Sequence, residues 1–517
     1  MFRRLIGPGG HSTGGPRRRT ANPLRVETLE CREVPALFAA AADVPVGEQP
    51  FDAAAGDFNG DGKADVAVLL SSSSASVNVL LGDGRGGLQT APGAPFPVGF
   101  DARSMTAADF DGDGRTDLAV PIYFGTPGRG VRVYLAGAGG QFGEAAGSPF
   151  SIPHYAEFVA TADFNNDGRP DLVVNSREGS FDTDLVSVLL GTGTGGFGPA
   201  HSFSVGPAPF AVGTGDFTDD GNQDVVVANN RTLTLDVYPG DGQGGFGGPV
   251  SSATGMANYT LSVAADFNGD GHADLAVGGT IAGFPDPSEN LMQVFLGNGA
   301  GALVPAPGGP LPGAGSNGVV VADFNRDGRL DVAGVGNDES TLYAYLGTGG
   351  GFVAAPGSPY AVGANPRAVV VGHFNSDRRP DLVTANGSAA SISVLLSARR
   401  ARAAVDVRPG SPVNPINLGS HGVLPVAILT TPGFNALDVS AATVRLGDPR
   451  LSGGVAPVRV VREDVDGDGD LDLLLVFRVR DLVVSGAIDC GTTHLKLTGS
   501  LTDGTEFFGR DRVRVVP

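Results

Sequence analysis

The feature that most constrains the fold is a twelve-residue phrase, DFNGDGKADVAV at residues 57–68, which returns six more times in altered form. Its copies begin at residues 57, 109, 163, 216, 266, 323 and 373, at steps of 50 to 57 residues. From residue 318 onward, three short apolar runs alternate with polar or Gly-rich turns, and a fourth run begins at the aromatic residue after a Gly cluster. Such runs predict β-strands, and no helical periodicity accompanies them. Seven repeats of four antiparallel strands predict a β-propeller.

The ends of the repeat array predict how it closes. The seventh unit stops after its third strand, while residues 37–56 resemble residues 352–372 in sequence. The N-terminal segment is therefore expected to supply the missing outer strand, which removes exposed sheet edges. We expect an all-β chain whose residues 36–398 form a seven-bladed β-propeller of four-stranded blades with N-terminal strand closure. An open solenoid, which would not need the borrowed strand, is the alternative. In the six other units the fourth strand is expected to begin at Leu88, Phe142, Phe197, Phe246, Leu303 and Phe352.

Two further segments flank the array. Residues 1–35 contain seven Arg, several Gly and Pro, and no periodic apolar pattern, so a basic, disordered leader or export segment is expected. Residues 399–403 are expected to be a linker. Residues 404–517 contain the runs VLPVAILT, DLDLLLVFRV, THLKLTGSL and RVRVVP, which predict a separate β-sandwich domain. No apolar run reaches the roughly 18 residues of a transmembrane helix, so no transmembrane segment is expected.

Acidic residues are concentrated in the repeated loops. The chain has a net charge of −20, and 27 of its 55 acidic residues lie in the seven phrases and a related loop at 464–475. An acidic chain does not offer the basic patches that nucleic-acid phosphates require, so we expect no nucleic-acid partner. The clustering of acidic residues in the repeated loops indicates metal binding rather than a contribution to solubility.

The spacing within each loop is that of a cation site. Oxygen-bearing side chains stand at positions 1, 3, 5 and 9, and position 7 offers a backbone carbonyl. Many oxygen ligands favour calcium over magnesium. An EF-hand would need Glu at position 12 between helices, whereas Val68 stands there between predicted strands. Asx-Gly turns favour Asp and Asn locally, but not at four fixed positions in six copies.

The predicted calcium ligands, with position 7 acting through its carbonyl, are Asp57, Asn59, Asp61, Lys63 and Asp65 in loop one; Asp109, Asp111, Asp113, Arg115 and Asp117 in loop two; Asp163, Asn165, Asp167, Arg169 and Asp171 in loop three; Asp216, Thr218, Asp220, Asn222 and Asp224 in loop four; Asp266, Asn268, Asp270, His272 and Asp274 in loop five; Asp323, Asn325, Asp327, Arg329 and Asp331 in loop six; and Asp464, Asp466, Asp468, Asp470 and Asp472 in the C-terminal loop. Loop four has a hydroxyl at position 3, Thr218, and is expected to bind more weakly. Loop seven has His373 in place of the first Asp and Arg378 in place of the Gly, so we expect it to hold no metal, with the charge of Arg378 standing in for the cation.

These residues resemble a known family. DFNGDGxxDLAV followed by SVxVLLGxGxGGF resembles the FG-GAP/VCBS repeat of integrin α-chain propellers and many bacterial surface proteins, over about 36–398. The resemblance implies a propeller in which calcium staples the hairpin. LRVETLECREVPA resembles the basic leader of many exported bacterial repeat proteins, and residues 405–447 resemble a small β-sandwich module at the ends of exported proteins. Extracellular calcium modules bind at about 10⁻⁴ to 10⁻³ M, so a secreted or cell-surface location is expected.

The catalytic and nucleotide-binding motifs in the sequence lack the structural context that their function requires. Residues 10–14 fit the GxSxG nucleophile motif but lie in the leader, and the GxGxxG runs at 82–87, 191–196 and 240–245 open no helix. We therefore expect a monomeric, extracellular calcium-binding protein that acts as a binding, adhesion or structural surface module for a protein or glycan ligand, and not as an enzyme. The alternative is a secreted propeller enzyme acting on polysaccharide, a lyase or glycoside hydrolase, which would need a carboxylate or His cluster at the central channel.

The loops opposite the acidic phrases are the expected partner surface. In a four-stranded meander the 2–3 and 4–1 connections share one face, and there the segments 122–130, 175–184 and 279–290 vary most. Exposed aromatic and Arg residues on variable loops favour partner binding, although ordinary loop variation explains them equally well. The candidates are Tyr123, Phe124, Arg129, Arg177, Phe181 and Phe284.

Overall fold

The structure is a computed structural model of the full chain, in which Met1–Pro35 and Ala36–Pro517 are separate units. It describes residues 36–71, 74–99, 101–122, 129–177, 184–257, 259, 262–281, 290–313, 317–336, 340–397, 400–411, 414–431, 434–449, 454–502 and 506–516. The predicted leader, residues 1–35, lies outside the described residues. The described part is almost entirely β, with one short α-helix, Val479–Val484, and one 3-10 turn, Ala436–Asp438. Within the described ranges no helix has the length and apolarity to span a membrane.

Strands between residues 42 and 395 form seven antiparallel sheets in chain order. The first three sheets contain Pro50–Gly56, Asp65–Leu70, Ala75–Gly82, Leu88–Thr90 and Phe96–Gly99; Thr106–Ala108, Asp117–Ile122, Gly130–Ala136, Phe142–Glu144 and Phe150–Ser151; and Tyr155–Ala162, Asp171–Arg177, Leu185–Leu189 and His201–Ser204. The fourth and fifth contain Pro209–Gly215, Asp224–Asn229, Thr234–Tyr238 and Val250–Ala253; and Met256–Ala257, Ser262–Ala265, Asp274–Ile281, Asn290–Gly297, Leu303–Pro305 and Leu311–Pro312. The sixth and seventh contain Gly318–Ala322, Asp331–Val335, Thr341–Gly347, Phe352–Ala354 and Tyr360–Ala361; and Pro366–Gly372, Asp381–Asn386, Ser391–Leu395 and Ala42–Pro45.

The fourth strands follow the sequence expectation in four sheets and depart from it in two. They begin at Leu88, Phe142, Leu303 and Phe352 as predicted. In the third and fourth sheets, Phe197 and Phe246 make only isolated bridges, and the fourth strands are His201–Ser204 and Val250–Ala253. The prediction is wrong for these two residues because a Gly and a Pro follow each Phe closely, and Pro cannot donate to a strand ladder.

The N-terminal segment pairs with the end of the repeat array. Ala42–Pro45 is antiparallel to Ser391–Leu395 and occupies the fourth place in the seventh sheet. Phe38 is 1% exposed, and its ring lies 5.5 Å from that of Phe324 and 5.3 Å from that of Tyr360. Residues about 350 positions apart in the sequence therefore share one hydrophobic cluster.

The core lies between neighbouring sheets. The first strand of each sheet packs against the first strands of the sheets before and after it, and Pro366–Gly372 packs against Pro50–Gly56. The Phe after the first loop position is buried in all seven repeats and contacts an outer apolar residue of the next sheet. Phe58 lies 5.7 Å from Phe142, and Phe267 lies 5.9 Å from Phe352, between ring centroids.

The C-terminal strands form two four-stranded sheets and a two-stranded ladder. These are Arg400–Arg402, Glu506–Arg512, His494–Leu501 and Val439–Gly447; Ala404–Val407, Val423–Leu429, Asp472–Arg478 and Arg459–Glu463; and Pro415–Asn417 with Arg514–Val516. Leu475 and Phe477 of one sheet share a buried cluster with Leu446 and Leu497 of the other. Each of the four segments predicted as C-terminal strands contains a strand, but the helix Val479–Val484 was not expected.

Candidate functional site

The acidic loops occupy the same place in each hairpin. Loop one begins at Asp57, directly after Pro50–Gly56, and its ninth residue, Asp65, opens the strand Asp65–Leu70. The ninth position opens a strand in all the other loops as well, including the C-terminal one. Paired strands on both sides therefore fix where the loop side chains lie.

The ninth-position aspartate is buried and bonded to the backbone. Asp65 is 0% exposed, its Oδ2 accepts from the Phe58 N–H at 2.9 Å, and its Oδ1 accepts from the Gly82 N–H at 2.7 Å. Because Gly82 ends the third strand, the carboxylate ties the loop to that strand. The same two kinds of bond are made by Asp117, Asp171, Asp224, Asp274, Asp331, Asp381 and Asp472.

Burial raises the pKa of the ninth-position carboxyl group in each of the seven repeats. The pKa of Asp65, of Asp117 and of Asp331 rises to about 6, although their backbone hydrogen bonds act in the opposite direction. A buried carboxylate without a cation is unfavourable when ionised. A cation in the loop would therefore stabilise the ionised form.

The first-position aspartate holds the loop backbone. In loop one, Asp57 Oδ1 accepts from the Gly60 N–H at 2.8 Å, and Oδ2 accepts from the Gly62 N–H at 2.7 Å. Loop amides are bonded in the same way to Asp109, Asp163, Asp216, Asp266, Asp323 and Asp464. A carboxylate offers about four lone-pair sites, so these bonds leave capacity for a cation.

Two loops bring three carboxylates together. One carboxylate oxygen each of Asp109, Asp111 and Asp117 in loop two lie within 4.8 Å of one another. Asp464, Asp466 and Asp472 form the same arrangement in the C-terminal loop. Oxygens that each lie about 2.4 Å from one calcium ion are at most about 4.8 Å apart, so the donor set fits calcium. Burial, and then the charges of Asp113 and Asp109, raise the pKa of Asp111, as expected for carboxylates crowded without a cation.

The fifth and seventh positions form ion pairs. Lys63 Nζ lies 2.9 Å from Asp61 Oδ2, and Arg329 lies 3.8 Å from Asp327. Arg115 pairs with Asp113 and Arg169 with Asp167 in the same manner. The side chain of position 7 thus places a positive charge beside the fifth-position carboxylate, a contact that the ligand spacing alone does not predict.

The third position differs between loops. Asn268 Nδ2 donates to Asp270 Oδ2 at 2.8 Å, so the Asn supports the next ligand position. In loop four, Thr218 Oγ1 donates to Asp224 Oδ2 at 3.1 Å. The Thr218 hydroxyl is thereby hydrogen-bonded to the ninth-position carboxylate.

Loop seven keeps its hairpin without the first Asp. Asp381 still accepts from the Phe374 and Ser397 N–H groups, at 3.0 and 2.8 Å. His373 Nδ1 lies 2.8 Å from the carbonyl oxygen of Arg379 at position 7, so a ring N–H at Nδ1 donates to the carbonyl that a cation would bind in the other loops. Arg378 has a φ of +59°, the left-handed conformation that its glycine counterparts adopt.

Successive loops contact each other through positions 4 and 7. Asn166 Nδ2 in loop three donates to Asn222 Oδ1 in loop four at 2.8 Å. Asp219 in loop four hydrogen-bonds His272 in loop five, and this contact raises the pKa of His272. Loops three, four and five are therefore connected to one another by side-chain contacts.

The other end of the first strands carries a second repeated feature, which sequence reasoning missed. A β-bulge displaces the residue six positions before the first loop position in four sheets. We call these four residues the bulge rim: Phe51, Glu157, Phe210 and Arg367. Bulges re-aim side chains and are common next to binding sites. Aligning the repeats and noting that this position is irregular would have found them.

Arginines bridge neighbouring sheets at the bulge rim. The guanidinium of Arg367 lies 5.9 Å from the ring centroid of Phe51, and that of Arg177 lies 5.7 Å from the ring of Phe210. Arg177 also pairs with Glu157, which is 1% exposed and whose Oε2 has no hydrogen-bond partner among the described residues. The rim combines cationic and aromatic surfaces on a chain that is otherwise acidic.

The structure describes two of the predicted partner residues, Arg129 and Arg177, and the guanidinium group of each contacts neighbouring residues. Arg129 is exposed, its guanidinium lies 4.0 Å from the ring centroid of Tyr155, and it donates to the Pro153 carbonyl at 3.3 Å. Arg177 is held by Glu157 as above. Tyr123, Phe124, Phe181 and Phe284 lie outside the described residues.

Two buried carboxylates lie near the rim. Asp52 is 8% exposed and accepts from the Ala53 and Met105 N–H groups at 2.8 and 2.7 Å, and burial raises its pKa to about 7. Glu157 is paired with Arg177. Asp52 belongs to the first sheet and Glu157 to the third, and each carboxylate is held by a structural contact.

Comparisons with known proteins bear on these repeats. The family model for the FG-GAP-like repeat matches residues 57–120, 122–174 and 216–277, which contain the first five loops. No curated protein matches the chain. Among solved structures, the crystal structure of the WD40 domain from Toxoplasma gondii coronin matches with 10% identity and a TM-score of 0.46, over 71% of this chain and 88% of that chain.

Proposed function

The chain is an FG-GAP repeat protein, and we propose that it acts outside the cell as a calcium-stabilised, seven-bladed β-propeller module that binds a protein or glycan partner. The observation that carries this proposal is the geometry of loop two, where three carboxylate oxygens lie within 4.8 Å of one another. Every repeat but the seventh has the same hairpin with oxygen-bearing side chains at the same positions.

Two contacts support a closed ring of seven blades. The first strands of the first and last sheets pack together as other neighbouring first strands do. Phe38 packs on Phe324 in the way that Phe142 packs on Phe58, so the N-terminal segment supplies the outer apolar residue of the seventh sheet. An open solenoid would need neither contact.

Calcium is the cation that the loops fit best. The side chains at positions 1, 3, 5 and 9 and the carbonyl at position 7 would hold it in the six complete loops and in the C-terminal loop. Bound calcium would neutralise the clustered carboxylates and cross-link the two ends of the hairpin. Loop seven needs none, because His373 already bonds the position 7 carbonyl. Modest affinity would restrict occupancy to calcium-rich surroundings, which supports an extracellular location.

A calcium titration of the full chain tests the metal assignment. Equilibrium dialysis should give one equivalent for each of the six complete loops and one for the C-terminal loop. Asp109→Asn should remove or weaken one equivalent, because loop two loses the first-position carboxylate that all six complete loops share. Asp241→Asn, in an exposed turn outside the loops, is the matched control and should change nothing. Binding that is unaffected by Asp109→Asn would contradict the assignment.

The bulge rim and Arg129 are the proposed partner surface. The rim lies at the opposite end of a seven-residue first strand from the calcium loops, about 20 Å away. Its residue types vary between repeats while the loops stay regular, and variable arginine and aromatic side chains suit partner contacts. An acidic oligosaccharide is a suitable probe because guanidinium groups pair with carboxylates and aromatic rings pack on sugar faces.

Binding of an acidic oligosaccharide such as an oligogalacturonate tests this surface. Arg129→Ala should weaken binding about tenfold, the loss expected for one charge-assisted contact. Arg132→Ala is the matched control, since Arg132 lies on the strand Gly130–Ala136 that directly follows Arg129, but its guanidinium lies 3.8 Å from Glu144. Equal binding by both variants, or none by the wild type, would remove the glycan assignment and leave the calcium assignment standing.

A further inference from the structure

We propose that the strand Arg459–Glu463 pairs antiparallel with the same strand of a second copy of this chain. This strand is the edge of the sheet that also contains Ala404–Val407, Val423–Leu429 and Asp472–Arg478. Its only neighbour among the described strands is Asp472–Arg478. An edge strand points alternate N–H and C=O groups away from its sheet, which makes it a template for another strand.

The edge strand is uncovered along its length. Arg459, Val460, Arg462 and Glu463 are exposed, and Val461 is half-buried. Val460 is 40% exposed and Val458, just before the strand, is 47% exposed. Pairing with a further strand would therefore remove apolar surface from water as well as satisfy backbone groups.

The sequence RVVRE is complementary to itself when two copies run antiparallel. With Val461 opposite Val461 of the second copy, Arg459 stands opposite Glu463 of that copy, and the contact occurs twice. Within one copy these two residues are four positions apart, about 13 Å along a strand, so they cannot pair with each other. Neither side chain has an ion-pair or hydrogen-bond partner among the described residues. Opposite charges directly across an antiparallel pair are stabilising, and like charges are destabilising.

The central position also fits. Val461 is paired with Leu474, which is paired with Ala427, so an apolar row spans three neighbouring strands and ends at Val461. Self-pairing would continue this row into the second copy.

The alternative is that Arg459 and Glu463 protect the edge strand from pairing, as charged residues on edge strands often do. That explanation requires no complementarity between Arg459 and Glu463, and it predicts a monomer. Self-pairing replaces the monomer expected from the sequence.

Charge exchange separates the two explanations. Sedimentation velocity of the full chain over a concentration series should show a dimer. Arg459→Glu alone, or Glu463→Arg alone, should weaken dimerisation at least about tenfold, because two-fold symmetry places each like-charge pair in the interface twice. The double variant Arg459→Glu with Glu463→Arg should restore it. Unchanged melting temperatures would show that the variants fold. A monomeric wild type, or a dimer whose dissociation constant is unchanged by the single exchanges, would overturn the proposal.

Cross-linking tests the register. Cα atoms directly opposite in an antiparallel pair are about 4.5 to 5.5 Å apart, which a disulfide can span. In a background with Cys31 and Cys490 replaced by Ser, Val461→Cys should form a disulfide-linked dimer on mild oxidation. Val460→Cys is the matched control, since it would stand opposite Arg462 and not opposite itself. Equal cross-linking at both positions, or none at position 461, would contradict this register.

Discussion

Loops two and seven have the same hairpin but different polar chemistry. In loop two, Asp117 accepts from the Phe110 and Ala136 N–H groups at 2.9 and 2.7 Å. In loop seven, Asp381 makes the matching bonds at 3.0 and 2.8 Å. At the first position, however, loop two has a carboxylate that bonds loop amides, and loop seven has His373, which bonds a carbonyl.

This difference separates two roles within one motif. The ninth-position carboxylate shapes the hairpin whether or not the ligand set is complete. The first- and third-position carboxylates create an excess of negative charge at the loop, which a cation can balance. Loop seven keeps the first role and lacks the first-position carboxylate needed for the second, so the two roles can vary independently.

The largest effect should come from the ninth position. Asp117→Ala and Asp381→Ala should each destabilise the protein by about 3 kcal/mol, because two buried N–H groups lose their acceptor. The loss at Asp381 should be the same with calcium and with a chelator, as measured by denaturant unfolding.

Asp241→Ala is the control for this comparison. Asp241 also accepts two backbone N–H groups, from Gln243 and Gly245, but it is exposed, so water can replace it. Asp241→Ala should therefore change the free energy of unfolding of the protein by less than about 1 kcal/mol. If Asp381→Ala were as mild as Asp241→Ala, the ninth position would not be the shared structural element.

Calcium removal should affect the two loops differently. With calcium at ten times its dissociation constant, a loop gains about 1.4 kcal/mol, so a chelator should speed hydrogen exchange in loop two about tenfold. The amides of Gly112 and Gly114, which bond Asp109, are the ones to follow by mass spectrometry. Loop seven should exchange at the same rate in both conditions. A matching increase around Asp381 would show that loop seven binds calcium after all.

Restoring the missing ligands should convert loop seven into a calcium loop. His373→Asp together with Arg378→Gly recreates the pattern of the complete loops, with Asn375, Asp377 and Asp381 already present. We expect one additional calcium equivalent and about 1.4 kcal/mol of calcium-dependent stability at ten times the dissociation constant. His373→Asp alone is the control, since Arg378 keeps a positive charge in the loop. An unchanged stoichiometry in the double variant would mean that spacing alone does not make the site.

Much of this arrangement follows from the sequence, and the reasons for the exceptions are physical. Repeat spacing and alternating oxygens predicted the hairpins and the place of the loops, because both depend on local geometry. The burial of Asp65 and its bond to Gly82 were missed, since Gly82 is brought near by the third strand. The bulge at Phe51 was missed for the same reason, as strand register is a pairing property. The Gly198–Pro199 sequence after Phe197, by contrast, is a local signal against a strand at that point.

The smallest effect concerns Arg378. Its φ of +59° destabilises a non-glycine residue by about 1 to 2 kcal/mol. A Gly at this position removes that cost, but it also makes the unfolded chain more flexible, which cancels about half of the gain in stability. A Cβ built at the equivalent Gly62 or Gly114 meets no atom within 4 Å, so the cost comes from the backbone conformation and not from crowding. Arg378→Gly should therefore stabilise by about 0.5 to 1 kcal/mol, whereas Arg378→Ala should change little. Thermal unfolding of both variants decides whether the charge of Arg378 matters. If both variants are less stable than the wild type, Arg378 supplies the positive charge that loop seven needs. If only the Gly variant is more stable, His373 alone replaces the cation.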